Sequence, residues 1–329
     1  MIDRRHFLLT SLAGVLAAPL AVEAQATTPV AKIGVLSSQS RETSKAVWAA
    51  FRQGLGDLGW EDGRNIVVEV RFADGQIDRL RALAEDLLKH EVRLIVAQNT
   101  PAAGAAIAAT RTVPIVMVEV GDPLATRFVT NLSRPGGNVT GLTNMARDLT
   151  SKRLQLLKEV VPHATRIAVI MDPGDPVVAP QWRDAQSAAP TLGLQLQRLE
   201  TRNIDDTRRA FQMAVADKAE AVLRLADPLS IVLAAETAQL AIKHRLPLMV
   251  RARVELEAGG LISYYADALE YHRRAASYVD RILKGAKPGD LPIEQPTRFE
   301  LLINLKTAKA LGLTIPPSLL ARADQLIDS

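Results

Sequence analysis

The sequence predicts an α/β protein of two doubly wound, Rossmann-like domains with parallel sheets and a cleft between them. Three observations carry this. Short apolar runs alternate with segments of helical period, with strands starting near residues 33, 66, 92, 114 and 139 and again near 166, 194, 219, 246 and 261. Such alternation makes βαβ units and therefore parallel sheets. The strands fall into two series, and 329 residues suit roughly two domains of about 100–200 residues each. Several strand runs also end in small polar residues beside a proline, as at Asn99-Thr100-Pro101, Gly121-Asp122-Pro123, Asp172-Pro173 and Asp227-Pro228. In an open parallel sheet those turns lie at the carboxyl edge, where ligands bind.

Composition narrows the function. The apolar residues are mostly Ala, Leu, Val and Ile, with 4% aromatics, which suits helices packed on a parallel sheet. The formal net charge is +4, and bases alternate with acids. A nucleic-acid binder would show a basic face with groove-reading or stacking motifs, so nucleic acid is not an expected partner. The chain has no cysteine, which excludes disulfides, thiolate metal sites and a cysteine nucleophile. His6, His90, His163, His244 and His272 stand in no metal-binding spacing, so no metal and no cofactor is expected. No Gly-x-Ser-x-Gly, Gly-x-Gly-x-x-Gly or phosphate-binding lysine motif appears. An enzyme is not expected.

Residues 1–26 have the pattern of a signal peptide. Arg4-Arg5 precede an apolar run from Phe7 to Val22, and Ala24-Gln25-Ala26 follows as a small-residue cleavage pattern. The paired arginines resemble a twin-arginine export signal, with ordinary export as the alternative. The run is shorter than the ~20 apolar residues of a membrane span.

The elements then follow in order. Ala31–Leu36 reads as a buried strand ending in Ser37-Ser38. Val47, Phe51, Leu55 and Leu58 set a helical period over 43–58, stopped by Gly59. Ile66–Phe72 is a strand, and Asp78 is expected to cap a helix to His90. Val92–Gln98 and Pro114–Val120 are strands around an Ala-rich helix, and a further helix is expected from about Leu124. Val139–Leu142 closes the first series.

In the second series, Ser151 is expected to cap a helix ending near Val161, and Arg166–Met171 to form a strand. Gln181–Leu192 reads as a helix, Leu194–Leu199 as a strand, and Asp205 as the cap of a helix to Asp217. Ala221–Leu225, Leu246–Val250 and Leu261–Tyr265 read as strands, Ser230–His244 as one helix and 255–260 as a turn. A helix from Glu270 to Leu283 is expected to return to the first domain. Phe299–Leu302 reads as a strand, Asn304–Leu311 as a helix, and a final helix follows Pro316-Pro317. The N-terminal lobe then comprises 27–141 with about 266–295, and the C-terminal lobe 142–265 with about 296–329. Several crossings between lobes make a hinge.

Certain stretches resemble one family. Gly121-Asp122-Pro123, the run Arg134-Pro135-Gly136-Gly137-Asn138-Val139-Thr140-Gly141 and the run from Glu257 to Tyr264 look like the ABC-transporter substrate-binding family related to tryptophan and aromatic amino-acid binding proteins. Tyr278–Pro288 and Asn304–Pro317 are similar to that family's C-terminal part. The resemblance implies a type I periplasmic binding protein, a periplasmic location and a monomer. It implies an extracytoplasmic solute-binding protein of an ABC importer, which captures a small polar molecule such as an amino acid and delivers it to a permease in the inner membrane. A ligand-binding input to a periplasmic sensor system is the alternative. It carries the ligand site onto Ser37, Ser38, Asn99, Thr100 and Asp122 in the first lobe, and Asp172, Asp227 and Tyr264 in the second. Arg127, Arg224 and Tyr265 depart from the family's usual residues.

A zwitterion needs a carboxylate for its ammonium and donors for its own carboxylate. Asp122 is the expected ammonium partner, with helix capping as its other role. Ser38 and Thr100 stand at helix N-termini. Asp172 and Asp227 precede prolines and also suit turn starts. Arg251 and Arg253 are candidates for an anionic group, and Tyr264, Tyr265 and Trp182 for stacking on a ring.

Overall fold

The computed structural model describes residues 30–328; the export segment read in residues 1–26 lies outside them. The chain opens with β1 (Ala31–Ser37), α1 (Lys45–Asp57), β2 (Ile66–Phe72), α2 (Leu80–Lys89), β3 (Ile95–Gln98), α3 (Thr100–Ala109), β4 (Ile115–Val120) and β5 (Val139–Thr143). These strands form one parallel sheet in the order β2-β1-β3-β4-β5. Apolar residues fill both of its faces, including Ile33, Val35, Val96 and Val118 on one side and Leu36, Ile95, Ala97 and Met117 on the other. That two-sided burial is why the strands read as unbroken apolar runs.

The second half contains α4 (Thr150–Val160), β6 (Arg166–Met171), α5 (Val178–Ala188), β7 (Gln195–Glu200), α6 (Ile204–Ala216), β8 (Ala221–Arg224), α7 (Pro228–Val232), α8 (Ala234–Lys243), β9 (Leu248–Val250), α9 (Arg253–Glu257) and β10 (Ile262–Tyr265). Next comes α10 (Ala268–Leu283), then β11 (Glu300–Asn304), α11 (Leu305–Leu311), α12 (Pro317–Leu320) and β12 (Gln325–Ile327). Here the sheet order is β12-β11-β10-β9-β8-β6-β7. The sequence indicated five strands in the alternating series and a sixth over 299–302, which is β11; the sheet has seven, β12 being the one not expected. β11 runs antiparallel to β10, and β12 pairs with β11.

Helix α10 does not stay with the second sheet. It packs on α1, where a Cβ on Gly54 would stand 2.6 Å from the Arg273 carbonyl oxygen. The Trp48 ring meets the His272 ring edge-on at 5.1 Å in the same contact. The following segment runs beside β5: Glu294 N donates to Gly141 O at 3.0 Å and Thr143 N to Glu294 O at 3.0 Å. The chain therefore passes between the sheets at 144–149, at 266–267 and at 295–299.

Several local expectations need correction. No helix follows Leu124; residues 123–127 are turns, and Arg127 takes φ 58°, which interrupts a right-handed helix. Asp78 lies inside a 3-10 turn rather than capping α2. Leu149, not Ser151, precedes α4, and no side chain caps it. Asn203 caps α6 by accepting from Asp206 N at 2.9 Å, two residues before the expected Asp205. The single helix expected over 230–244 breaks at Leu233 into α7 and α8. Residues 253–257 form a helical turn, and the expected final helix is four residues long before β12. Among the described residues no helix is long and apolar enough to cross a membrane.

Candidate functional site

The carboxyl ends of both sheets meet across a cleft, and each sheet supplies one side of it. On the first sheet, β4 is irregular against β5, with a register shift between Met117 and Val120. Opposite, Gly141 has φ 136°, and a Cβ there would stand 2.0 Å from Met117 O, so no side chain fits. Within the irregularity Glu119 takes φ 59°, and its side chain lines the cleft. Gln98 Nε2 donates to Glu119 Oε2 at 3.1 Å. Ser37 Oγ in turn donates to Gln98 Oε1 at 2.8 Å.

Asn99 joins β3 to α3 with φ 72° and ψ 169°. That region belongs essentially to glycine, and holding an asparagine there costs about 1–3 kcal/mol. Its Oδ1 accepts from Ala102 N at 3.3 Å and caps α3, while its Nδ2 is buried without a partner. Ser38 Oγ is likewise buried and unpaired. Thr100 Oγ1 accepts from Gly121 N at 3.2 Å. Strained backbone and buried unpartnered donors thus gather at this one sheet edge.

The second sheet brings a denser set of charges. Asp227 accepts from Arg224 Nη2 at 3.0 Å, from Ser230 N at 2.8 Å and from Asp172 N at 3.1 Å. Arg224 is buried and also donates to Thr201 Oγ1 at 3.0 Å. Asp172 Oδ1 accepts from Gly174 N at 2.8 Å, and burial pushes its carboxyl up. Burial pushes Glu255 up as well, against the pull of the Arg251 guanidinium. Arg251 Nε donates to Ser230 Oγ at 3.3 Å. Arg153 is buried and donates from Nε to Tyr264 O at 2.8 Å; burial, with Arg251 nearby, lowers it to about 9.

Between these faces lies a cavity of about 510 Å³. Val47, Ala49, Ile231, Val254 and Leu269 give it an aliphatic wall, and Tyr265 borders it. Glu119 and Arg251 border this cavity and two smaller gaps that share residues with it. One of those gaps brings Asn99, Thr100 and Asp227 together with Asp175.

The other sequence-expected residues stand elsewhere. Asp122 points away from these cavities: Oδ1 accepts from Ala125 N at 2.9 Å, and Oδ2 pairs with Arg147 Nη1 at 3.3 Å. Arg147 also reaches Asp184 at 2.8 Å, so Asp122 lies on a rim ion-pair chain. Ser37 sits behind Gln98, and Asp172 behind Asp227. The Tyr264 ring packs on Phe299 with centroids 5.8 Å apart. Glu119 escaped sequence reasoning because it interrupts an apolar run and strand alternation places it in a face, not at the edge. Its signal was a lone acid two residues before the Gly121-Asp122-Pro123 turn. Asp175 was hidden behind Asp172, the other aspartate of its loop. Among the described residues no group of three or more His, Asp or Glu is arranged to hold a metal.

Comparison with known proteins supplies the remaining context. A family model described as ABC transporter substrate binding protein matches residues 32–327. The tyrosine-binding protein of Clostridioides difficile (strain R20291) is 26% identical over 263 residues, covering 80% of this chain and 75% of that protein. A conserved domain protein from Vibrio cholerae superimposes with a TM-score of 0.85 at 28% identity, over 90% of this chain and 99% of that one. An ABC domain from Streptococcus pneumonia in complex with L-Trp gives a TM-score of 0.83 at 25% identity, again over 90% and 99% of the two chains.

Proposed function

The chain belongs to the ABC transporter substrate binding protein family, and from that premise we propose that it captures an amino acid between its two sheets for import. The carrying observation is the placement of Glu119 and Arg251. One comes from the first sheet and the other from the second, and both border the same run of cavities. An ammonium suits Glu119, a carboxylate suits Arg251, and the buried donors of Asn99 and Ser38 add hydrogen bonds to the latter. The aliphatic chamber beside them has room for a large apolar side chain. The relatives support this choice, one being named for tyrosine and another holding L-Trp.

In this reading residues 27–143 with about 266–295 form one lobe, and 144–265 with about 296–329 the other, the boundary expected at 141 moving because β5 runs on to Thr143. The three crossings act as the hinge, and closure buries the ligand. Residues 1–26 direct export to the periplasm, where the protein acts as a monomer and hands its ligand to an ABC permease in the inner membrane. No chemical step is required of it. The experiment is native mass spectrometry of protein purified without refolding, with thermal shift against the twenty amino acids. A retained mass or a stabilising shift for tryptophan or tyrosine is expected. A response to sugars with none to any amino acid overturns the reading.

A further inference from the structure

Asp175 lies in the loop between β6 and α5, on the seam between the two sheets. It is 5% exposed. It borders the same gap as Asn99, Thr100 and Gly121 from the first sheet's edge. Two residues later Val177 presses on Gly121, where a Cβ would stand 2.6 Å from Val177 Cγ1. The Asp175 carboxyl has one hydrogen bond, from Val177 N to Oδ1 at 2.9 Å, and no ion-pair partner among the described residues.

The charged groups around it do not compensate that burial. Asp172 shares its loop and Asp227 starts α7; both are carboxylates. Glu119 borders the gap from β4. Arg251, at the end of β9, is the favourable charge, and Arg224 is engaged by Asp227. Burial is the main cause that pushes the Asp175 carboxyl up to about 7, opposed by the Val177 amide and reinforced by Asp227 and Asp172.

We propose that Asp175 couples closure of the cleft to the uptake of one proton, so that the protein holds its ligand more tightly as the pH falls. The inference rests on the capture-by-closure reading above. With the sheets apart the seam is open to water, and a solvated aspartate ionises near 3.8. Closing raises that value. Closure therefore bears no penalty below the open-state value, a penalty growing tenfold per pH unit between the two values, and a constant one above about 7.

The test is calorimetric titration with L-tryptophan as probe, from pH 5 to 8.5, in two buffers of different ionisation enthalpy. The wild type should take up nearly one more proton per ligand than Asp175→Asn at pH 5.5, and no more at pH 8.5. Its affinity should fall about tenfold per unit up to pH 7 and then level, while Asp175→Asn stays tight at pH 8. Equal proton uptake by the two proteins overturns the coupling. A ligand-free arm separates this from failure of the amino-acid reading. The chain has no cysteine, and a Cβ on Gly121 would stand 3.3 Å from Val177 Cβ, close to disulfide spacing. Gly121→Cys with Val177→Cys should lock the seam under oxidant. A carbon-13 titration should then place Asp175 near 7 when locked and in the ordinary carboxylate range when reduced. The same value in both states, or a pair that never oxidises, overturns the proposal.

Discussion

Gln98 Nε2 donates to Glu119 Oε2 at 3.1 Å, and this bond joins the carboxyl ends of two neighbouring strands. Ser37 fixes the amide's orientation from a third strand by donating to its oxygen. The Glu119 carboxylate is thus held before any ligand arrives, which lowers the ordering cost of binding. Glu119→Gln keeps the shape and removes the charge. It should weaken amino-acid binding by roughly ten- to several-hundred-fold, the worth of a charge-assisted hydrogen bond in a desolvated cleft. Calorimetry measures the loss, and an unchanged melting temperature would show that the fold is intact.

Asp122→Asn should behave differently. Its carboxylate pairs with a half-exposed Arg147 at 3.3 Å on the rim, and such pairs contribute about 0–1 kcal/mol. Asparagine also keeps the bond from Ala125 N. Affinity within about fivefold of wild type is expected by the same calorimetry.

Gly121→Ala probes closure itself. The added methyl would stand 2.6 Å from Val177 Cγ1 across the seam, so the sheets cannot come as close. Ligand affinity should drop at least about tenfold with little change in unfolding temperature. Small-angle scattering should show a particle that no longer contracts when ligand is added.

Arg224→Met tests the buried pair under the cleft. It removes the partner of Asp227, whose side chain is fully buried. An orphaned buried carboxylate typically costs about 3–5 kcal/mol, to be read from denaturant unfolding. Adding Asp227→Asn should recover much of this, because asparagine still accepts from Ser230 N and carries no charge.

How far the sequence reaches can be judged residue by residue. Asn99 and Asp227 were legible because each begins a helix with proline following, and each does cap, accepting from Ala102 N and Ser230 N. Gly59 was legible as a helix stop, and it takes φ 84°. Asp205 misled because Asn203 offers the same chemistry two residues earlier. The β11 strand was legible over 299–302, but β12 was obscure, because three residues after a proline-led helical turn form a strand only by pairing with β11, distant in sequence. Glu119, the proposed ammonium partner, was the least legible. Its position depends on the irregularity in β4, which depends on Gly141 twenty-two residues later. Asp122, beside a glycine and a proline, looked the better acid, and only the fold shows Arg147 beside it.

The most direct measurement is calorimetric titration of the wild type with L-tryptophan, tryptamine and indole-3-propionate. Tryptamine lacks the carboxylate that Arg251 would read, and indole-3-propionate lacks the ammonium that Glu119 would read. Both should bind at least about a hundredfold more weakly than L-tryptophan, because each leaves one buried charge unpaired. In Glu119→Gln the gap between L-tryptophan and indole-3-propionate should close. Equal binding of indole-3-propionate and L-tryptophan by the wild type would contradict recognition of a zwitterion by this pair.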